Sequence, residues 1–193
     1  TYDDLRTQDS ASTSLKKQAG SFSEVSAIYG FTNDKRNRAF MPTSGSILSF
    51  SQSIPFYADR SFLSNSLSLS KYHSLNEDVV GSGKLFLSAV NGLRGDDVRL
   101  SKRKGLSSKR LRGFEKNKIG PVDGDDHIGG NYAAALNFEV NLPNLLPEST
   151  NTDVGLFLDF QTMLGFDDPT KVVSRCTMVE YYSSIQSMCF PSF

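Results

Sequence analysis

NYAAALNFEVNL, residues 131–142, carries its large apolar side chains at every second position. Successive side chains of an extended strand point to opposite faces, so this spacing collects the apolar set on one face. Asn137 and Glu139 then fall together on the other face. The apolar set is Tyr132, Ala134, Leu136, Phe138, Val140 and Leu142. A period of two residues predicts a β-strand with one apolar and one polar face.

The same alternation recurs on both sides of this stretch, in residues 21–31, 46–55, 61–72, 79–91 and 153–160. The polar face is rich in serine, and we predict no amphipathic helix. Long strands with an apolar face and a small, hydroxylated face suit the wall of a transmembrane barrel. A soluble β-sandwich produces the same alternation. We predict an all-β fold: an antiparallel transmembrane β-barrel, of which about six strands are present.

The remaining segments are predicted as connections or as a tail. Residues 1–20 are polar and aperiodic, and are predicted as a polar loop. Residues 92–130 form one very long loop, and connections of that length are commonly functional. Residues 161–193 lose the alternation and are predicted as a divergent tail, explained by either a shifted reading frame or true divergence. The partial barrel is therefore predicted over residues 21–160.

The charge is balanced overall, with 21 Lys and Arg against 21 Asp and Glu, but it is unevenly placed. Residues 94–118 contain ten Lys and Arg against three acidic residues. Only Phe114 interrupts this run as an aromatic, so a nucleic-acid partner is not predicted. No catalytic constellation or zinc spacing stands out, and the acidic stretch 122–130 is predicted as a solvated turn. We expect no enzyme activity, no cofactor and no metal site.

Two acidic residues on the polar face indicate a candidate site for a cation. In a hairpin of the last two strands, Glu139 and Asp159 would be close cross-strand neighbours on the polar face, where like charges repel. An arginine between them would solve this, because its guanidinium binds carboxylates bidentately and stays charged. Arg112 in the long loop is the candidate, with Gly113 allowing a tight turn and Phe114 able to wedge against the wall. Otherwise Arg112 is one more solvated cation in a loop.

Three stretches in this order resemble the BamA family of outer-membrane barrel assembly proteins. They are RLRGFEKNKIGP (110–121), GGNYAAALNFEVNLP (129–143) and VGLFLDF (154–160). The family carries an RGF-type loop tip, matched by Leu111, Arg112, Gly113 and Phe114. Its F-x-D-x-G strand motif is matched by Phe157 and Asp159, with Gln161 in place of the glycine. Its periplasmic turn motif is matched by Asp34, Arg36, Pro42, Thr43 and Gly45.

The resemblance implies a sixteen-stranded barrel preceded by POTRA domains, with this chain a piece of its second half. It implies that Arg112 folds into the lumen and pairs with Glu139 and Asp159. It places the loop 92–130 outside the cell, and the turns 32–45 and 143–152 in the periplasm. The implied function is insertion of β-barrel proteins into the bacterial outer membrane. The implied partners are unfolded outer-membrane proteins, accessory assembly lipoproteins reached through the POTRA domains, and outer-membrane lipid.

Three other functions remain open from the sequence. A two-partner-secretion pore, which exports a polypeptide, also carries an RGF-like loop tip. A passive porin would show the same strands, and a soluble β-sandwich binding module would show the same alternation. Upstream POTRA repeats would separate assembly from secretion, and detergent dependence would separate a membrane barrel from a sandwich.

Overall fold

A computed structural model shows one large antiparallel sheet of nine strands and a separate two-stranded ribbon. It describes residues 2–8, 16, 18–94, 98–105, 110, 112, 120, 122–123, 126–142, 154–164, 176–181 and 188–191. In the part of the chain described, no helix has the length and apolar content needed to cross a membrane.

Six long strands occupy the six predicted positions. They are β2 (Gly20–Asp34), β3 (Gly45–Ala58), β4 (Phe62–Ser74), β5 (Val80–Gly92), β8 (Tyr132–Leu142) and β9 (Val154–Leu164). Their lengths of 11 to 15 residues are sufficient for tilted strands that cross a bilayer. The all-β antiparallel prediction is confirmed.

The prediction that residues 1–20 form a loop is wrong for the first few residues. Tyr2–Leu5 forms strand β1, paired antiparallel with the beginning of β2. Four residues are too few for alternation to be recognised in a polar segment. Pairing with the beginning of the long strand β2 supplies backbone hydrogen bonds that the local sequence does not indicate.

The predicted end of the last long strand at Phe160 is also wrong, because β9 continues to Leu164. Gln161 and Met163 alternate inward with Asp159, and both are buried. Two further strands follow: β10 (Cys176–Tyr181) pairs with β9, and β11 (Met188–Pro191) pairs with β10. Sheet pairing therefore runs past residue 160, where the predicted partial barrel stopped.

The connection 92–130 is not structureless. It contains a 3-10 turn at Leu100–Lys102 and the small ribbon of β6 (Val122–Asp123) and β7 (Asp126–His127). Lys104 forms an isolated bridge with Gly130, which closes the loop back on itself near the start of β8. The turn at 143–152 lies outside the described residues.

The large sheet is a meander. Its strand order is β1-β2-β3-β4-β5-β8-β9-β10-β11, and the ribbon β6-β7 stands apart from it. Strands that follow one another along the chain are therefore also neighbours in the sheet, once the ribbon in the long loop is set aside. This is the topology of an up-and-down barrel wall.

The two faces of the sheet differ as the alternation predicts. One face, here called the inner face, carries a ladder of serines across β3, β4 and β5. Ser51 pairs with Ser66, and the Ser66 and Ser88 hydroxyls lie 3.1 Å apart. The other face, here called the outer face, carries Leu67 opposite Leu87 and other large apolar side chains. The described residues of the long loop contact the inner face, and most of the buried side chains among the described residues belong to that face or to the loop.

Candidate functional site

Strands β8 and β9 bring an acidic group to the inner face beneath the loop. Asp159 in β9 is fully buried, with a relative exposure of 0%. It lies directly opposite Asn137 in β8, and the Asn137 amide Nδ2 donates to Asp159 Oδ1 at 2.8 Å. A buried carboxylate is strongly destabilising without further partners, because it has lost its hydration.

Arg112 supplies those partners from the loop. Its Nε and Nη2 donate to the two oxygens of Asp159 at 3.0 and 2.9 Å, which is the bidentate geometry of an arginine–carboxylate pair. Its backbone N–H adds a third bond, to Asp159 Oδ2 at 3.2 Å. The Arg112 guanidinium carbon also lies 3.5 Å from the centroid of the Phe157 ring, in a cation–π contact. Arg112 is thus held by an ion pair, by hydrogen bonds and by a cation–π contact.

Glu139 is the weaker of the two predicted acidic partners. Its Oε1 lies 3.7 Å from Arg112 Nη1, too far for a hydrogen bond, while Lys84 Nζ donates to its Oε2 at 3.1 Å. The structure therefore brings Arg112, Glu139 and Asp159 together. Arg112 forms two side-chain hydrogen bonds with Asp159, and a second cation, Lys84, donates a hydrogen bond to Glu139.

The two acids are cross-strand neighbours, but they do not lie directly opposite each other. Glu139 lies opposite Phe157, and Asp159 lies opposite Asn137. The two carboxylates are diagonal neighbours, so the repulsion between them is smaller than direct apposition would give. The register of a hairpin depends on its turn, and the turn sequence alone did not fix where the tip falls.

Asn137 was missed as a site residue. Its side-chain amide donates to Asp159 and also to the backbone carbonyl of Arg110 at 2.6 Å. One buried amide therefore joins the wall acid to the loop backbone. Its position on the polar face, two residues before Glu139, was the available signal. Leu111, Gly113 and Phe114, the rest of the predicted loop tip, lie outside the described residues.

Five described cations of the basic run contact the sheet. In chain order, these cations contact β2, β4, β5 and β9 on the inner face. The contacts are Arg99 over the Phe22 ring and Lys102 with Glu24 on β2, Lys104 with Ser64 on β4, Arg110 over the Phe86 ring on β5, and Arg112 with Asp159 on β9. Burial lowers the pKa of Lys104 and of Arg110 from their ordinary values, because desolvation disfavours the charged forms.

Apolar packing and a backbone bond secure the beginning of the loop. Val98 joins a buried cluster with Phe62 and Val90 on the inner face. The Leu100 backbone N–H donates to the Gln18 side-chain oxygen at 2.6 Å. The loop is therefore anchored near β2 as well as at Arg112.

We expect Lys102→Met to lower the free energy of unfolding by about 1 kcal/mol. Lys102 Nζ lies 2.7 Å from Glu24 Oε2, and the two side chains are only 27% and 11% exposed, so the pair is partly desolvated. Urea titration of the full-length protein, followed by the heat-modifiable gel band, measures the shift. Arg6→Ala is the matched control, because the Arg6–Asp4 pair is open to solvent. Equal midpoint shifts in the two variants would contradict the importance of the Lys102 contact.

The predicted periplasmic turn motif forms one compact turn after β2. Asp34 accepts from Arg36 Nε and Nη2 at 2.9 and 2.6 Å, and this bidentate pair raises the pKa of Arg36. Asn37, which the motif does not include, donates to Thr43 Oγ1 at 2.7 Å and accepts from the Thr43 backbone N–H at 3.1 Å. Gly45 has a φ of +99°, which favours glycine. Pro42 lies half-buried in the same turn.

The fold and site define a class of protein. Long antiparallel strands with an apolar outer face, and a basic loop bound to a buried acid on the polar inner face, describe the wall of an outer-membrane β-barrel. The chain belongs to the Omp85 superfamily, because residues 1–179 match its superfamily domain. That match extends beyond residue 160, as the strand pairing does.

Named relatives agree with this assignment. A SAM50-like protein of Schizosaccharomyces pombe is 31% identical over 140 residues, covering 69% of this chain and 30% of that protein. The outer membrane protein assembly factor BamA of Neorickettsia risticii is 27% identical over 172 residues, covering 84% of this chain and 22% of that protein. The sorting and assembly machinery component 50 homolog A of Xenopus laevis is 27% identical over 138 residues, covering 69% of this chain and 30% of that protein.

A solved structure is similar in fold. It is the crystal structure of BamA from Haemophilus ducreyi lacking POTRA domains 1–3, with a TM-score of 0.68 and 22% identity, covering 86% of this chain and 38% of that one. The predicted resemblance to BamA and the outer-membrane location are confirmed. The chain spans between about a fifth and a third of the length of the curated relatives it matches.

Proposed function

We propose that this chain forms part of the wall of a barrel that inserts other β-barrel proteins into an outer membrane. The supporting observation is the bidentate Arg112–Asp159 pair, which holds a long loop on the inner face of the wall. The names of the relatives, an assembly factor and sorting and assembly machinery components, point in the same direction.

The mechanism needs no bond chemistry and no cofactor. An exposed strand edge offers unpaired backbone groups on which an incoming strand can form, as in strand addition elsewhere. The site does not touch the client. It holds the loop in one position, and through the loop it stabilises the arrangement of the strands. The partners we propose are unfolded outer-membrane proteins, accessory assembly lipoproteins and outer-membrane lipid.

Reconstitution tests this function against export of a polypeptide. The full-length protein is placed in phospholipid vesicles, and a urea-denatured barrel protein is added from outside. We expect the client to acquire heat-modifiable gel migration faster than in empty vesicles. A client that instead reaches the vesicle interior as a protease-protected, unfolded chain would support the two-partner-secretion alternative and exclude the proposal.

A further inference from the structure

The turn between β2 and β3 displays apolar side chains at its tip. Phe40 is 80% exposed and Met41 is 59% exposed, although both are large and apolar. Arg38, two residues before Phe40, is also exposed, and so is Lys35 at the base of the turn, where its backbone N–H donates to the Ser46 carbonyl. We propose that this turn is an interfacial anchor, in which Phe40 and Met41 enter the acyl-chain boundary and Lys35 and Arg38 bind the phosphates of anionic lipids.

The turn is built to hold this tip outward. Asn37 closes the base through Thr43, and its backbone N–H donates to the Ser44 carbonyl at 3.1 Å. Arg38 Nε donates to the Met41 carbonyl at 2.6 Å, which orients the tip from within. Met41 has a φ of +46°, an uncommon conformation for a residue with a side chain. A strained residue persists only where the surrounding bonds determine it, so the exposure is a fixed feature of the turn.

The charge of the turn suits an anionic surface. Between Asp34 and Gly45 the sequence has three cations, and Asp34, the one carboxylate, is engaged by Arg36. The next turn at the same edge of the sheet, residues 75–79, carries Glu77 and Asp78 and no cation. The two turns therefore carry net charges of opposite sign, although they lie side by side. Basic residues at a membrane surface are attracted to anionic headgroups, and acidic residues are not.

The position of the turn favours lipid over a protein partner. β2 leads into it with Phe31 on the outer face, opposite Phe50 in β3, and both outer-face side chains continue the apolar surface of the barrel. The turn therefore follows directly after an apolar, outer-face part of both strands. Aromatic and cationic side chains at that level are the usual anchors of membrane proteins. This inference depends on the membrane location and is independent of the assembly function.

The experiment uses Phe40→Trp in the full-length protein, reconstituted in vesicles with brominated acyl chains. The chain itself has no tryptophan, and subtracting the spectrum of the parent removes any signal from elsewhere. Leu75→Trp in the acidic turn is the matched control, because Leu75 is also exposed at the same edge. Heat-modifiable migration verifies that both variants fold.

We expect the Phe40→Trp variant to show blue-shifted emission that the brominated lipids quench, more strongly than in the control. Adding Lys35→Gln should lower the equilibrium constant for immersion about fivefold in phosphatidylglycerol-containing vesicles, with no change in pure phosphatidylcholine. Arg38→Gln also removes the bond to the Met41 carbonyl, so it should lower immersion in both kinds of vesicle. Emission typical of water, or quenching equal to that of the control, would overturn the proposal. Blue-shifted emission without quenching by brominated lipid would also overturn it and would identify a protein contact instead.

Discussion

Replacing Arg112 by alanine is expected to destabilise the folded barrel by about 3 kcal/mol or more. The substitution leaves Asp159 fully buried, with the Asn137 amide still donating to it but no cation in the bidentate position. It removes two charge-assisted hydrogen bonds and the cation–π contact with Phe157 together. Uncompensated buried charge is among the most destabilising consequences of a single substitution. Urea titration of the full-length protein in detergent measures the loss.

Three matched variants separate the contributions. Arg112→Lys keeps the charge but cannot donate in a bidentate fork, so we expect an intermediate loss. Asp159→Asn combined with Arg112→Ala should cost less than the sum of the single changes, because the pair is coupled. Glu139→Gln should cost about 1 kcal/mol or less, since Glu139 is partly exposed and 3.7 Å from Arg112. If Glu139→Gln were as damaging as Asp159→Asn, the assignment of Asp159 as the principal partner would be wrong.

Arg112→Ala should also reduce insertion of client barrels in cells. Under the proposed function, the loop that this side chain secures stabilises the strands that handle the client. The measurement is the level of folded client barrels at equal levels of the variant and the parent protein. Wild-type client levels in the presence of a measured loss of stability would show that the pair is structural and plays no part in assembly.

Replacing Gly45 by alanine is the second change with a large expected effect. A Cβ at this position would overlap the Lys35 carbonyl oxygen and lie 2.8 Å from Arg36 Cα, and both of these are backbone atoms. The φ of +99° adds a conformational cost for any residue with a side chain. The turn cannot close without moving its own backbone, so we expect a loss of about 3 kcal/mol in the free energy of unfolding.

Gly20→Ala is the control for this change. Gly20 also has a positive φ, of +131°, but its nearest contact for a Cβ is an ordinary 3.8 Å, to the Phe22 ring. It carries the conformational cost without the overlap, and its expected loss is about 1 kcal/mol. The fraction of protein that migrates as the folded, heat-modifiable form measures the loss of stability in each of the two variants. Equal losses would show that the overlap at Gly45 is relieved by a small shift of the turn.

The long strands could be predicted because their alternation is sustained. An alternation that continues over eleven or more residues indicates a strand even where single positions depart from it, as in Tyr132–Leu142. Tyr2–Leu5 could not be predicted, because its order comes from pairing with β2 rather than from its own residues. Residues 161–164 were missed because Gln161 interrupts the family motif. Its side chain occupies the buried inner position next to Asp159 in the alternation.

The site could be predicted in part from charge. A carboxylate in each of two adjacent strands required a cation, and the basic loop offered Arg112. The supporting contacts could not be predicted, because they depend on the register of the hairpin, which places Asn137 opposite Asp159. The attachment of Lys102 to Glu24 joins positions 78 residues apart in the chain. No local pattern reports a contact at that separation.

Lys102 and Arg112 attach the loop at two distant points of the wall, Glu24 on β2 and Asp159 on β9. Four strands lie between these two points in the sheet. Any change of the wall that alters the energy of either attachment therefore links the shape of the wall thermodynamically to the binding of the loop. Linkage is reciprocal. A molecule that draws the loop away from Asp159 loosens the wall, and one that spreads the wall weakens the hold on the loop by the same free energy.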